Sequence, residues 1–367
     1  MSAHARILLI TVYVLVGLGV VMIYSATFIS AAESYGNPYH FLVRQAIYVF
    51  LGTCALFFAA SVPAAMWKYH ARALILLSIV LLLLLFLPVL GHSAGGARRW
   101  LRFGFFNFQP VEFAKVAICL YLADYLTRKR KIINQGDIKI FLPPLILIGG
   151  VCALILLQPD LGSCVFIFCL VSLLFFWVGI RMRYALMSLG FFLPLFYFLV
   201  IRVPYRLSRV TAYLNPWEDP QGSGFQMIQS FLAYGVGGIH GVGLGKSIQK
   251  LYYLPSSHND FIFSIIGEEL GLIGVLGVLA LFGLIFVTGI RMVERAKQDY
   301  DRLVIMSLIL MITLQGLIHM LVATGLIPTK GLPLPFVSYG GTSLFFNLAA
   351  VGIILGISRQ KHRRREF

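Results

Sequence analysis

Long apolar runs separated by short polar segments dominate this chain of 367 residues. An α-helix needs about 20 apolar residues to cross the hydrocarbon core of a bilayer. The pattern therefore predicts an all-α polytopic membrane protein, a single integral membrane domain over residues 1–367 with about ten transmembrane helices. The predicted spans lie near residues 7–29, 42–62, 72–90, 110–127, 140–158, 160–179, 184–202, 261–290, 302–324 and 338–358. The first run is too long for the apolar region of a signal peptide, so we interpret it as a retained helix.

Basic residues are distributed unevenly among the predicted loops. If both termini are cytoplasmic, nineteen Lys and Arg residues face inward and the short outer loops hold only five. An excess of Lys and Arg marks cytoplasmic loops, so this orientation is the preferred one. The net charge of +16 then reflects membrane topology, and we expect no nucleic-acid partner. The basic tail KHRRR is more simply explained as a contact with anionic lipid.

In this topology a large extracytoplasmic loop, about residues 203–259, lies between helices 7 and 8. Its segment FQMIQSFLAYG predicts an interfacial or re-entrant helix, and the next segment, GVGGIHGVGLG, contains six glycines in eleven residues. Glycines let a phosphate or a lipid head group approach backbone N–H groups closely. The sequence GVGLGKS resembles a phosphate-binding P-loop, but His240 stands where that motif requires glycine, so we expect no nucleotide site.

Asp260 lies where the large loop meets an apolar run. A carboxylate at membrane depth costs about 2.5–3.5 kcal/mol on insertion scales, so such groups usually have a function. Asp260 is therefore the main catalytic candidate, and the alternative is that it only caps the following helix. Glu268 and Glu269 lie in the same run. Because successive residues of a helix are rotated by about 100° around its axis, the two side chains should face different neighbours. We expect these two glutamates to brace the helix bundle.

Other polar residues near the predicted outer surface each allow two interpretations. Glu112 and Lys115 are neighbours on one helix face and form either a structural ion pair or part of a pyrophosphate site. Arg98 and Arg99 match phosphate geometry, although they could instead reach lipid head groups. Asp160 is explained by capping of the next helix. The five cysteines form no C-x-x-C pair, so we expect neither disulfides nor zinc.

Several segments together resemble the SEDS family (shape, elongation, division and sporulation). They are GARRWLRFGFFNFQPVEFAK, QPDLG, NPWEDPQGSGFQMIQS, GLGKSIQKLYYLPSSHNDFIFSIIGEELG and IPTKGLPLPFVSYGGTSL. The resemblance covers nearly the whole chain and is strongest to the FtsW and SpoVE branch. It implies ten spans and a peptidoglycan glycosyltransferase that polymerises lipid II on the outer face of the bacterial cytoplasmic membrane, enriched at the division septum. It also implies a class B penicillin-binding protein and other divisome membrane proteins as partners.

The resemblance also implies roles for individual residues. The essential aspartate of the family aligns with Asp260, its loop arginine with Arg99, and its Glu–Lys pair with Glu112 and Lys115. The full set of predicted substrate-binding residues is Arg98, Arg99, Glu112, Lys115, Lys246, His258, Lys330 and Ser338. The chain departs from the common family pattern at Arg102, at Ser256 and Ser257, and at Asn259, which puts fine substrate contacts in doubt.

Three alternatives to a septal polymerase stay open at the level of sequence. A lipid II flippase would use the same groove to move substrate across the bilayer, although we find no internal repeat of the kind that transporters often show. An elongation polymerase like RodA and a non-catalytic divisome scaffold are the other two. The sequence predicts no dedicated metal site; Mg²⁺ or Mn²⁺ could still assist the leaving pyrophosphate.

Overall fold

The computed structural model describes residues 2–87, 91–94, 97–103, 106–134, 137–179, 190, 197, 202–250, 259–329 and 331–363. Within these residues twelve α-helices and three β-strands are found. The helices are α1 (Ala3–Tyr35), α2 (His40–Ser61), α3 (Ala64–Leu84), α4 (Pro110–Arg128), α5 (Arg130–Asn134), α6 (Leu142–Leu157), α7 (Leu161–Val178), α8 (Pro204–Leu214), α9 (Phe225–Gly237), α10 (Ile262–Arg295), α11 (Asp299–Ala323) and α12 (Gly341–Arg363). The strands are β1 (Gly91–Ala94), β2 (Ala97–Phe103) and β3 (Phe106–Phe108).

Eight helices among the described residues are long and apolar enough to cross a membrane. They contain α1, α2, α3, α6, α7, α10, α11 and α12, and each corresponds to a predicted span. Helix α4 coincides with the predicted span 110–127 but carries more charged side chains. The predicted span 184–202 lies almost entirely outside the described residues, so the count of ten stays a prediction.

The third span begins earlier than the hydrophobic pattern indicated. We expected it near 72–90, whereas α3 runs from Ala64 to Leu84. Pro63 is the N-cap residue of this helix, and proline is tolerated at helix starts because its missing N–H would be unpaired there anyway. The polar stretch around Lys68 therefore belongs to the first turns of the helix instead of the preceding loop.

Helices α2 and α12 run side by side in the same direction, with glycines of α12 close to the backbone of α2. A Cβ atom placed on Gly352 would lie 2.2 Å from the carbonyl oxygen of Leu56, and one on Gly356 would lie 2.8 Å from that of Ala60. This GxxxG spacing lets two membrane helices bring their backbones together. The contact places the start of α12 next to the outer end of α2.

The outer segment before α4 contains a small antiparallel sheet with strand order β1-β2-β3. The sequence analysis assigned no strands there, so the sheet is an exception to the all-α prediction. In β2, Leu101 is buried, Arg98 is exposed and Arg99 is half-buried. The sheet therefore holds Arg99 in a fixed position near the start of α4.

Helix α10 is interrupted at Gly271, whose backbone (φ 65°, ψ −163°) is not helical. The glycine-rich segment of the large loop fills the interruption. The N–H groups of Val242 and Gly243 donate to the carbonyls of Glu268 and Glu269, both at 3.0 Å. In return, the N–H groups of the two residues after Gly271 donate to the carbonyls of residues 238 and 239. Backbone groups within a membrane must be paired by the protein, and this exchange pairs them.

The glycines in this segment thus serve close contact between two backbones. A Cβ atom on Gly241 would lie 2.2 Å from the carbonyl oxygen of Glu269, and one on Gly237 would lie 2.0 Å from that of Gly267. The N–H of Gly241 donates to the carbonyl of Gly237 at 2.8 Å. Our expectation that such N–H groups meet a phosphate or lipid head group is therefore wrong for Gly241, Val242 and Gly243.

Candidate functional site

Asp260 lies immediately before α10, at the end of the helix that the predicted topology assigns to the outer side. The N-cap residue is Phe261, which makes no side-chain capping bond, so capping does not account for the aspartate. The side chain is half-buried and faces Gly331, where an added Cβ would lie 3.4 Å from Oδ2. A larger residue at position 331 would crowd the carboxylate.

The surroundings of Asp260 raise the pKa of its carboxyl to about 6. Burial is the main cause, because it disfavours the charged form, and the negative charge of Asp160 adds to the effect. The cations of Arg209 and Arg99 act in the opposite direction and lower the pKa. We call Arg99, Asp160, Arg209 and Asp260 the outer cluster. A carboxyl with this pKa is mostly ionised at neutral pH and is still basic enough to accept a proton.

Asp160 and Arg99 are held in the outer cluster by defined contacts. Asp160 caps α7, since it accepts from the N–H of Ser163 at 3.1 Å and from its hydroxyl at 2.8 Å; the capping prediction is confirmed. The Nη2 of Arg99 donates to the carbonyl of Pro159 at 2.5 Å, and its Nε lies 4.0 Å from Asp160 Oδ2. Arg98, on the same strand, points to the exposed side. Arg98 and Arg99 therefore have different environments, and of these two only Arg99 lowers the pKa of Asp260.

The described part of the segment after α11, residues 325–329 and 331–337, forms one wall beside Asp260 and is anchored by α11. Gln315 Nε2 donates to the carbonyl of Pro333 at 2.9 Å, and His319 Nδ1 donates to that of Leu332 at 2.7 Å. Both side chains are buried and lie one turn apart. Because they hold consecutive carbonyls, they determine the path of the backbone that leads to Gly331.

Two further contacts fix the same wall. The Ser338 hydroxyl donates to the carbonyl of Asn259 at 2.7 Å and accepts from the N–H of Leu334 at 2.8 Å. The Nη1 of Arg209 reaches the carbonyl of Thr329 at 3.4 Å. Ser338 was predicted to bind substrate, but its buried hydroxyl is engaged within the protein. It links the residue before Asp260 to the anchored segment.

Glu112 and Lys115 form a buried ion pair inside the bundle, with Lys115 Nζ 2.7 Å from Glu112 Oε1. Their exposed fractions are 3% and 1%. Lys115 also donates to Gln315 Oε1 at 2.6 Å and lies 5.2 Å from the ring centre of Phe166. This geometry favours the structural interpretation of the pair. Through Gln315 the pair is nevertheless connected to the segment beside Asp260.

Glu268 and Glu269 accept hydrogen bonds from the turn that follows the glycine-rich segment. Glu268 Oε1 accepts from the N–H of Ile248 at 2.8 Å, and its other oxygen accepts from the hydroxyl of Ser247. Glu269 accepts from the hydroxyl of Ser25 on α1 at 2.6 Å and pairs with Lys250 at 3.1 Å. The prediction that these glutamates brace the structure and face different neighbours is confirmed. We call this arrangement the glutamate anchor.

The two lysines of this turn differ in burial. Lys246 is exposed and stays a predicted substrate contact. Lys250 is buried, and its ammonium donates to the carbonyl of Gly245 at 2.6 Å in addition to its ion pair with Glu269. The charge of Lys250 is therefore used inside the protein.

Two predicted substrate-binding residues, His258 and Lys330, lie outside the described residues. Among the described residues, no group of three or more His, Cys, Asp or Glu side chains could hold a metal ion. Sequence reasoning missed Arg209, Gln315 and His319. A polar residue in the apolar run of α11 was the available signal for the last two; nothing in the sequence set Arg209 apart from other loop arginines.

Comparison with known proteins gives a consistent result. The family model FTSW_RODA_SPOVE, described as "Cell cycle protein", matches residues 5–363. A relative from Geobacter metallireducens named "Probable peptidoglycan glycosyltransferase FtsW" is 43% identical over 96% of this chain and 94% of its own length. "Stage V sporulation protein E" of Bacillus subtilis is 40% identical over 96% of each chain.

Two solved structures share the fold. One, described as "Structural coordination of polymerization and crosslinking by a peptidoglycan synthase complex", matches with a TM-score of 0.78 and 31% identity over 97% of this chain and 98% of that one. The other, Thermus thermophilus rod shape determining protein RodA, matches with a TM-score of 0.72 and 28% identity over 97% of this chain and 96% of that one.

Proposed function

The chain belongs to the FtsW, RodA and SpoVE family of cell cycle proteins, and on that premise we propose its activity. It is a peptidoglycan glycosyltransferase that polymerises lipid II into β-1,4 glycan strands on the outer face of the bacterial cytoplasmic membrane. The names of its relatives support this activity. Identity to an FtsW (43%) and to a sporulation protein (40%) exceeds that to RodA (28%). This difference supports septal synthesis, with enrichment at the division site.

The proposal depends above all on one observation, the position of the Asp260 carboxyl and its raised pKa. Its carboxyl lies at the outer end of α10 with a pKa of about 6, which suits a base that works near neutral pH. In our mechanism Asp260 accepts the proton of the 4-hydroxyl on the acceptor sugar as that oxygen attacks C1 of the donor. A general base of this kind is worth about 10²–10⁴-fold in rate. The reaction inverts C1, because an α-linked donor yields a β-linked product.

The second requirement is stabilisation of the leaving group. The bond from C1 to the pyrophosphate oxygen breaks, and undecaprenyl pyrophosphate departs with its electron pair. Arg99 and Arg209 are the candidate cations, because both lie close enough to Asp260 to lower its pKa. Fixed positive charge facing developing negative charge lowers the barrier. The exposed Arg98 and Lys246 would attract the anionic head group of lipid II at the membrane surface.

A class B penicillin-binding protein is the proposed partner that crosslinks the new strands. The structural similarity to a peptidoglycan synthase complex supports this pairing. The two proteins would perform different reactions. The outer cluster of this chain offers a base and cations suited to glycosyl transfer, whereas crosslinking is an acyl transfer, which the partner would carry out. Contacts with other divisome membrane proteins belong to the same proposal.

The test is glycan-strand formation from labelled lipid II by the purified protein with its partner, whose transpeptidase site is blocked. We expect product ladders from the unmodified protein and none from Asp260→Asn, which keeps the shape of the side chain and removes the base. The matched control is Glu218→Gln, an exposed carboxylate of the same large loop, which should leave the ladders unchanged.

The outcomes separate the candidate functions. Ladders from a folded, partner-bound Asp260→Asn variant would refute the assignment of the base. If the unmodified protein with its partner forms no ladders, polymerisation itself is refuted, and a flipping assay with labelled lipid II in liposomes would follow. A Glu218→Gln variant that loses activity would show that the loop tolerates no change of charge and that the Asp260 result is not specific.

A further inference from the structure

A cavity of about 410 Å³ lies at the end of the protein opposite to Asp260. The cavity is lined by Arg295, which is the last residue of α10, and by residues near the ends of α1, α11 and α12. The part of α10 after its interruption at Gly271, residues 272–295, is about 36 Å long at 1.5 Å per residue. Asp260 precedes the other end of this helix. The cavity is therefore at the cytoplasmic surface of the membrane, well separated from the outer cluster.

The cavity combines a basic opening with apolar walls. Arg295, Lys297 and His4 supply the basic side chains, and Met292, Ile305 and Ile357 supply the apolar surface. Arg295 Nη1 lies 2.9 Å from His4 Nδ1, so the guanidinium is oriented by a neutral imidazole nitrogen that accepts its hydrogen. Ser2 and Ser358, whose hydroxyl oxygens are 3.4 Å apart, add donors at the same opening.

Ion pairs among the described residues do not neutralise the positive charges at this opening. Among the described residues, neither Arg295 nor Lys297 has a carboxylate within the 4.0 Å of a salt bridge, whereas Arg128 and Arg302 do. One carboxylate, Asp301, also lines the cavity and takes part in an interaction of its own. Two cations and one anion leave the lining net positive.

We propose that this cavity binds an anionic phospholipid of the inner leaflet, with the phosphate at Arg295 and Lys297 and the upper acyl chain against the apolar wall. Basic pockets between membrane helices on the cytoplasmic side suit such head groups. An apolar wall beside the cations matches an amphiphile better than free phosphate, which offers no apolar surface. Each Lys or Arg near an anionic membrane surface changes binding by roughly fivefold. Loss of both cations should therefore weaken it by roughly 30-fold.

The experiment uses native mass spectrometry to measure how much phosphatidylglycerol the full-length protein retains. The lipid is titrated into the detergent-solubilised protein, which is then released from detergent in the mass spectrometer. The test variant is Arg295→Gln/Lys297→Gln. Its matched control is Arg291→Gln/Lys139→Gln, which removes the same two residue types from exposed cytoplasmic positions that do not line the cavity. We expect the test variant to need roughly 30-fold more lipid for equal retention and the control to behave as the unmodified protein.

Further arms distinguish the alternatives and guard against misfolding. The charge-preserving variant Arg295→Lys/Lys297→Arg should keep lipid retention, which separates charge from packing. Equal retention by the test variant and the control would overturn the proposal. Equal retention of phosphatidylcholine by the unmodified protein would overturn the role of net charge. Displacement of the lipid by millimolar inorganic phosphate would instead assign the cavity to a free phosphate.

Discussion

The glutamate anchor yields the sharpest test of the structure, because one substitution leaves a buried charge without its partner. Lys250 pairs with Glu269, whose side chain has no exposed surface. In Lys250→Met a chain of similar length fills the same space and carries no charge. The carboxylate of Glu269 then remains at membrane depth with only neutral donors, the hydroxyl of Ser25 and the N–H of Ser247.

The size of the effect follows from burial. Removing one partner of a buried ion pair costs about 3–5 kcal/mol. Because Ser25 still contacts both oxygens of Glu269, at 2.6 and 2.7 Å, we expect a loss of unfolding free energy near the lower limit, about 3 kcal/mol. With an unfolding entropy of about 2.1 cal/mol/K per residue, a chain of 367 residues loses about 1.3 °C per kcal/mol, so the Tm falls by roughly 4 °C. The double variant Lys250→Met/Glu269→Gln removes both charges and keeps an acceptor for Ser25, so it should recover most of that loss.

Thermal unfolding in detergent, followed with a thiol-reactive dye, measures these differences. Cys119 and Cys164 are buried and reduced, so they report loss of packing in the bundle. The matched control is Lys246→Met, the same change at an exposed lysine of the same turn, for which we expect no shift. An unchanged Tm for Lys250→Met, or a double variant no more stable than the single one, would refute the reasoning.

Two further predictions concern the outer cluster and the interrupted helix. Polymerisation should fall as the pH drops below about 6, where Asp260 becomes protonated. Arg99→Gln should move the midpoint of this fall to higher pH, because Arg99 lowers the pKa of Asp260. The control Arg98→Gln should leave the midpoint unchanged. A pH profile that Arg99→Gln leaves in place would contradict the electrostatic link. Gly241→Ala should prevent accumulation of folded protein, since its Cβ would meet the carbonyl of Glu269. The control is Gly245→Ala, which should accumulate, because Gly245 has a similar φ (79° against 77°) but open space around its Cα. Equal effects on expression and Tm would mean that backbone strain, not the contact, decides.

Much of the architecture could be predicted from the chain alone. Span positions depend on local hydrophobicity, and Asp160 caps α7 through contacts only three residues away, so both were accessible to sequence reasoning. Asp260 was singled out because a carboxylate at the edge of an apolar run is rare on energetic grounds. The sheet before α4 was missed because its strands are short and are paired only with one another.

The sequence by itself determined which segments are apolar enough to cross a membrane and where carboxylates interrupt them, since these properties follow from the cost of transferring each residue into lipid. Only the tertiary structure decided what those residues contact. Ser25 donates a hydrogen bond to Glu269, which lies 244 positions away in the sequence, and Lys115 donates one to Gln315, 200 positions away. The glycine-rich segment pairs with the break in α10 because buried backbone groups need partners, and which distant segment supplies them depends on how the helices pack.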